Sequence, residues 1–81
     1  LKLDWRKTGG RPEDFTCYDG DNQVGRIYSD HAPRGEGKRW RWFLNGYLPN
    51  GMLLSTTGWE LTKNEAARAL EDAYFRVRGE A

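Results

Sequence analysis

The stretch Arg39-Trp40-Arg41-Trp42-Phe43-Leu44 alternates arginine with bulky apolar side chains. In a strand, successive side chains point to opposite faces. Trp40, Trp42 and Leu44 then share one face, and Arg39, Arg41 and Phe43 share the other. The first face suits a hydrophobic core. The second carries two guanidinium groups beside an aromatic ring and is the first candidate for binding.

Strand and turn signals flank this stretch. Phe15-Thr16-Cys17-Tyr18 is rich in strand formers. Asp19-Gly20-Asp21-Asn22 reads as a tight turn, because Asp-Gly tolerates the positive backbone angles that hairpins need. Gln23–Tyr28 completes a β-hairpin, and Gly25 inside it suggests a bulge or a close approach that leaves room for a tryptophan ring. Residues 29–38, with Asp30, Pro33, Gly35 and Gly37, read as a polar loop. Asn45-Gly46 and Asn50-Gly51 are both turn signals, so either closes the next hairpin. Met52–Thr57 is the last strand, with Gly58 as its stop. Residues 1–14 read as an irregular N-terminal arm, broken by Gly9-Gly10 and Pro12. Leu1, Leu3 and Trp5 leave a short edge strand as an option there, with Trp5 folding back onto the domain.

The clearest element is a C-terminal helix. Thr62-Lys63-Asn64-Glu65 fits a capping box, and Leu61 before it suits a hydrophobic staple. No Gly or Pro follows until Gly79. Ala66, Leu70, Ala73, Tyr74 and Val77 recur at helical spacing as an apolar stripe. Its small residues let the helix lie close to a sheet, with Trp40 and Trp42 filling the space between. The expected fold is α+β: an antiparallel meander of three to four strands with one long helix packed on one face, in a single domain over residues 15–81.

Composition bears mainly on function. The chain has 81 residues, a formal charge of +1 and one cysteine, Cys17, so no intrachain disulfide forms. The single thiol and the lack of a leader-like or membrane-length apolar run suggest a cytoplasmic protein. An enzyme is not expected. His31 is the only histidine, no nucleophile motif accompanies it, and neither a metal-ligand spacing nor a phosphate loop is present. No metal or cofactor is therefore expected, and no membrane partner.

Two binding readings follow. In the first, Arg26, Arg39 and Arg41 form a row on the sheet, extended by Arg34 and Lys38, that contacts nucleic acid. The competing explanation is that these cations pair with nearby carboxylates or lie over Trp and Tyr rings. In the second, the chain is a protein-interaction or dimerisation module whose surface includes Tyr47, Leu48, Met52 and Phe75.

Residues 61–79, Leu-Thr-Lys-Asn-Glu-Ala-Ala-Arg-Ala-Leu-Glu-Asp-Ala-Tyr-Phe-Arg-Val-Arg-Gly, resemble the helix of the APETALA/ethylene-response-factor DNA-binding domain. The likeness spans about the C-terminal half of the chain and is carried by the helix. In that family the helix follows a three-stranded antiparallel sheet, and the sheet's Arg and Trp side chains enter the DNA major groove. The resemblance implies a sheet-then-helix topology and DNA binding through the sheet, with Arg26, Arg39, Arg41 and either Trp40 or Trp42 as the counterparts.

Overall fold

The computed structural model describes residues 1–9, 13–31, 37–47 and 53–77. Among the described residues, five strands, β1 (Asp4–Lys7), β2 (Asp14–Asp19), β3 (Asn22–His31), β4 (Lys38–Tyr47) and β5 (Leu53–Glu60), precede one helix, α1 (Lys63–Val77). The strands form an antiparallel meander in sequence order. The helix packs chiefly over β4, and over β3 and β5 beside it. The α+β architecture is the expected one, with five strands instead of three to four.

The added strand lies in the segment expected as an irregular arm, where the short edge strand left as an option forms over Asp4–Lys7 and Trp5 folds back onto the domain. Asp4–Lys7 pairs with Phe15–Tyr18, placing Trp5 opposite Cys17. Trp5 and Leu3 join the core, which explains why a short, charged segment is held at all. β3 also runs further than Tyr28, because its last three residues, Ser29 to His31, pair with Lys38–Trp40 of β4.

Turn signals resolve in physical terms. The β2–β3 hairpin closes as expected through Gly20 at φ 62°, a left-handed conformation that glycine adopts without a Cβ penalty. Asn45-Gly46 does not turn. It lies inside β4, with Gly46 opposite Leu54. Asn50-Gly51 lies outside the described residues.

Packing likewise explains Gly58 and Gly25. Gly58 does not end β5; it sits opposite Trp42, whose indole covers it. A Cβ at Gly58 would lie 2.6 Å from Trp42 Nε1. The room for a tryptophan ring is thus at Gly58, while Gly25 makes room for Leu70 of the helix. Trp42 Nε1 then donates to Glu60 Oε2 at 3.2 Å, so the half-buried indole keeps a polar partner.

The helix begins at its predicted cap. Thr62 Oγ1 accepts from the Glu65 N–H at 3.1 Å and donates to Glu65 Oε1 at 3.0 Å. Leu61 makes no staple and is 63% exposed. Ala66, Ala67, Leu70 and Glu71 are the buried helical positions, with Ala73, Tyr74 and Phe75 packed beside them. Against them lie Ile27, Leu44, Val24 and Cys17 from the sheet.

Cys17 is fully buried beneath this layer. Burial, aided by the negative charge of Glu71, pushes its thiol up to about 12. Reactivity belongs to the thiolate. We therefore expect a disulfide reagent at neutral pH to label Cys17 only as fast as the sheet opens, with full labelling in denaturant. Labelling of the folded protein at the rate of a free thiol would contradict this burial.

Candidate nucleic-acid interface

Strand alternation gives the sheet two unlike faces. Cys17, Gly25, Ile27, Trp40, Trp42 and Leu44 share the face that the helix covers. Thr16, Arg26, Tyr28, Arg41, Phe43 and Trp59 are register neighbours on the other face, which no described element overlies.

Cations and rings interleave across this open face. The Arg26 guanidinium lies 4.7 Å from the Tyr28 ring centroid. Tyr28 and Phe43 stack at 5.9 Å with planes 13° apart. The Arg41 guanidinium lies 4.8 Å from Phe43 and 4.9 Å from Trp59. The ladder thus crosses β3, β4 and β5. Arg6 over Tyr18, at 4.6 Å, forms a second such pair on β1 and β2. Each contact is of the cation–π kind, worth about 0.5–1 kcal/mol at exposed sites. Their common effect is to hold flexible cations in fixed places.

The arginines differ in their acidic partners. Arg26 grips Asp14 with both Nε and Nη2, and Asp14 is fully buried. The Asp14 carboxylate holds the Arg26 guanidinium above its ordinary value. Arg6 pairs with Asp4 at 2.7 Å on the surface. Arg41 bonds only weakly, to Thr57 Oγ1 at 3.4 Å, and Arg39 donates to its neighbour's carbonyl, Lys38 O, at 3.0 Å. Among the described residues, no carboxylate forms an ion pair with Arg39 or Arg41.

The expected cationic row is therefore reshaped. Arg26, Arg39 and Arg41 alternate onto the open face as expected. Lys38 has the parity of Trp40 and Trp42, so it falls on the opposite face. There it pairs with Glu13, which also accepts from Ser29 Oγ. Lys38 and then Ser29 hold the Glu13 carboxyl below its usual range. Arg34 lies outside the described residues.

The alternative surface fares differently. Leu48 and Met52 lie outside the described residues, as does the Tyr47 side chain. Phe75 is half-buried, edge-on to Tyr74 at 5.2 Å, with Lys2 Nζ 5.4 Å from its ring centroid. It closes the helix side of the core.

Trp59, Tyr28 and Asp14 are members of the open face that the Arg-centred reading of the sequence missed. Trp59 follows Gly58, a residue that reads as a stop. Asp14 sits next to Glu13 in a segment that reads as solvated. Strand alternation carried through Gly58 was the available signal for Trp59.

Among the described residues no cluster of His, Cys, Asp and Glu side chains is suited to a metal ion, and no helix is long and apolar enough to cross a membrane. Comparison with family models, with curated proteins and with solved structures found no match to this chain.

Proposed function

We propose that the chain is a non-catalytic module that binds nucleic acid through the open face of its sheet. One observation carries the reading: Arg41 is held against two rings, Phe43 and Trp59, while no described carboxylate neutralises it. An arginine fixed in this way contacts phosphate without first giving up an acidic partner. Trp59, the ring that ends the ladder, offers a surface on which an unstacked base lies. Arg39, on the same face of β4, adds a second cation that no described carboxylate pairs with. The helix lies on the far side of the sheet and does not obstruct the approach.

A net charge of +1 favours a weak, local contact over a broad electrostatic one. The test is titration of labelled single-stranded and duplex oligonucleotides at about 50 mM and about 200 mM salt. We expect binding that weakens with salt. For a single strand, Arg41→Ala lowers the log–log slope by about 0.7, the share of one phosphate contact. The variant stays folded, with its melting temperature lowered by the loss of two exposed cation–π contacts and not by a loss of core packing. Absence of binding at low salt, or a slope unchanged in Arg41→Ala, would remove the reading.

A further inference from the structure

The open face contains a hollow whose origin is a β-bulge. Cys17 pairs with Gly25 and Tyr18 with Gln23, so Val24 is an extra residue in β3. Val24 lies in the core, and Gly25 directs its missing side chain towards Leu70 of the helix. Two successive residues thus turn inwards, and the open face lacks a side chain between Gln23 and Arg26. Bulges of this kind re-aim side chains and recur beside functional sites.

The resulting space measures about 180 Å³ and is lined by Gln23, Gly25, Arg26, Phe43 and Asn45. It is open on the solvent side. A cavity of about 150 Å³ accepts a benzene ring, so one planar heterocycle matches the scale of this one. Two of its walls are held in place. Arg26 is gripped by the buried Asp14, and Phe43 is packed against Tyr28 and Arg41. Gln23 and Asn45 are exposed amides, each offering a donor and an acceptor. Arg26 Nη1 takes no part in the grip on Asp14 and adds a further donor.

We infer that this hollow receives one unpaired nucleobase. Phe43 supplies the apolar wall, and the Gln23 and Asn45 amides meet the polar edge of the base. Amides of this type pair well with adenine, which presents a donor beside an acceptor. The inference rests on the nucleic-acid reading of the open face and narrows it to strands with a base free of pairing. The backbone of that strand passes over Arg41 and Trp59, next to the hollow along the same face.

The experiment compares two single strands: an abasic phosphodiester strand, and the same strand carrying one adenine. The parent chain is expected to bind the adenine-bearing strand about tenfold tighter, the scale of one good amide–base pair. In Gln23→Ala/Asn45→Ala that preference vanishes, while affinity for the abasic strand is kept. Both residues are exposed, so the fold is retained. Equal binding of the two strands by the parent chain overturns the inference and leaves the wider reading standing. So does a preference that survives the double substitution, which would put the base elsewhere on the ladder. Binding of neither strand overturns both.

Discussion

Glu71→Ala should destabilise the domain by about 2–4 kcal/mol and release its N-terminal strand. Glu71 is a helical carboxylate only 5% exposed. It accepts from Lys2 N at 2.8 Å, Leu3 N at 3.0 Å and Trp5 Nε1 at 2.8 Å. One side chain thus satisfies three donors and ties the segment ahead of β1 to the helix. Truncation leaves all three without it. Each buried orphan costs about 1–3 kcal/mol, reduced here because the freed segment can swing out to water. A domain of this length has only about 4–12 kcal/mol in total. Urea unfolding of the two proteins measures the difference, and a loss below about 0.5 kcal/mol would contradict the tie. Because Trp5 lies opposite Cys17, Glu71→Ala should also speed thiol labelling.

The same tie has a pH signature. Burial alone would push the Glu71 carboxyl up, but its bonds from Lys2, Trp5 and Leu3 outweigh that and hold it below the usual range. A carboxyl lowered by folding contributes stability above its unfolded value, about 4.3, and loses it as pH falls through the folded value. Glu71→Gln lacks this ionisation. Its stability curve should therefore lie below that of the parent chain at neutral pH and approach it in acid.

What could be read from the sequence divides by the kind of signal. The pleat of β4 was legible because it depends only on alternation, and Trp42 and Leu44 face the helix as that pattern requires. The capped helix was legible for the same local reason. Glu71 was not. In a helix rich in Arg, Glu and Asp a carboxylate reads as solvated, and only the arrival of β1 gives it three donors. β1 was legible in part: the alternation of Leu1, Leu3 and Trp5 offered a short edge strand with Trp5 folded back, but Asp4, Arg6 and Lys7 add little apolar signal to fix its place. Beside its ladder with β2, it is held by a carboxylate 66 to 69 residues away, since Lys2, Leu3 and Trp5 bond to Glu71. Gly58 misled because a glycine in a strand ordinarily weakens it. The Trp42 ring takes up the missing volume, a cross-strand effect that a linear reading does not contain. The arginine face was visible as a set of residues, but the partners were not. Asp14 neutralises Arg26 while Arg41 is left to the rings, and that difference decides which cation is available to a ligand.

Gly25→Ala should cost about 3 kcal/mol, and shortening the neighbouring side chain should not restore the loss. A Cβ at Gly25 would lie 2.6 Å from Leu70 Cδ1 and 2.6 Å from the Phe43 carbonyl oxygen. Leu70 is fully buried and has little space into which to retreat. The carbonyl belongs to the paired strand β4, so moving it strains the β3–β4 ladder. Leu70→Ala combined with Gly25→Ala removes the first clash, leaves the second and adds a cavity. The double variant should therefore be no more stable than Gly25→Ala alone. Gly20→Ala is the control: nothing lies within 4 Å of its added Cβ, and its cost is only the left-handed backbone, about 1–2 kcal/mol. Because the strained carbonyl is that of Phe43, Gly25→Ala should also disturb the ring that lines the hollow. It should then lose part of the preference for the adenine-bearing strand, even under conditions where the variant is fully folded. Recovery of stability in the double variant would show that the side-chain clash alone matters. The close approach of β3 to β4 at the bulge would then not be what demands glycine.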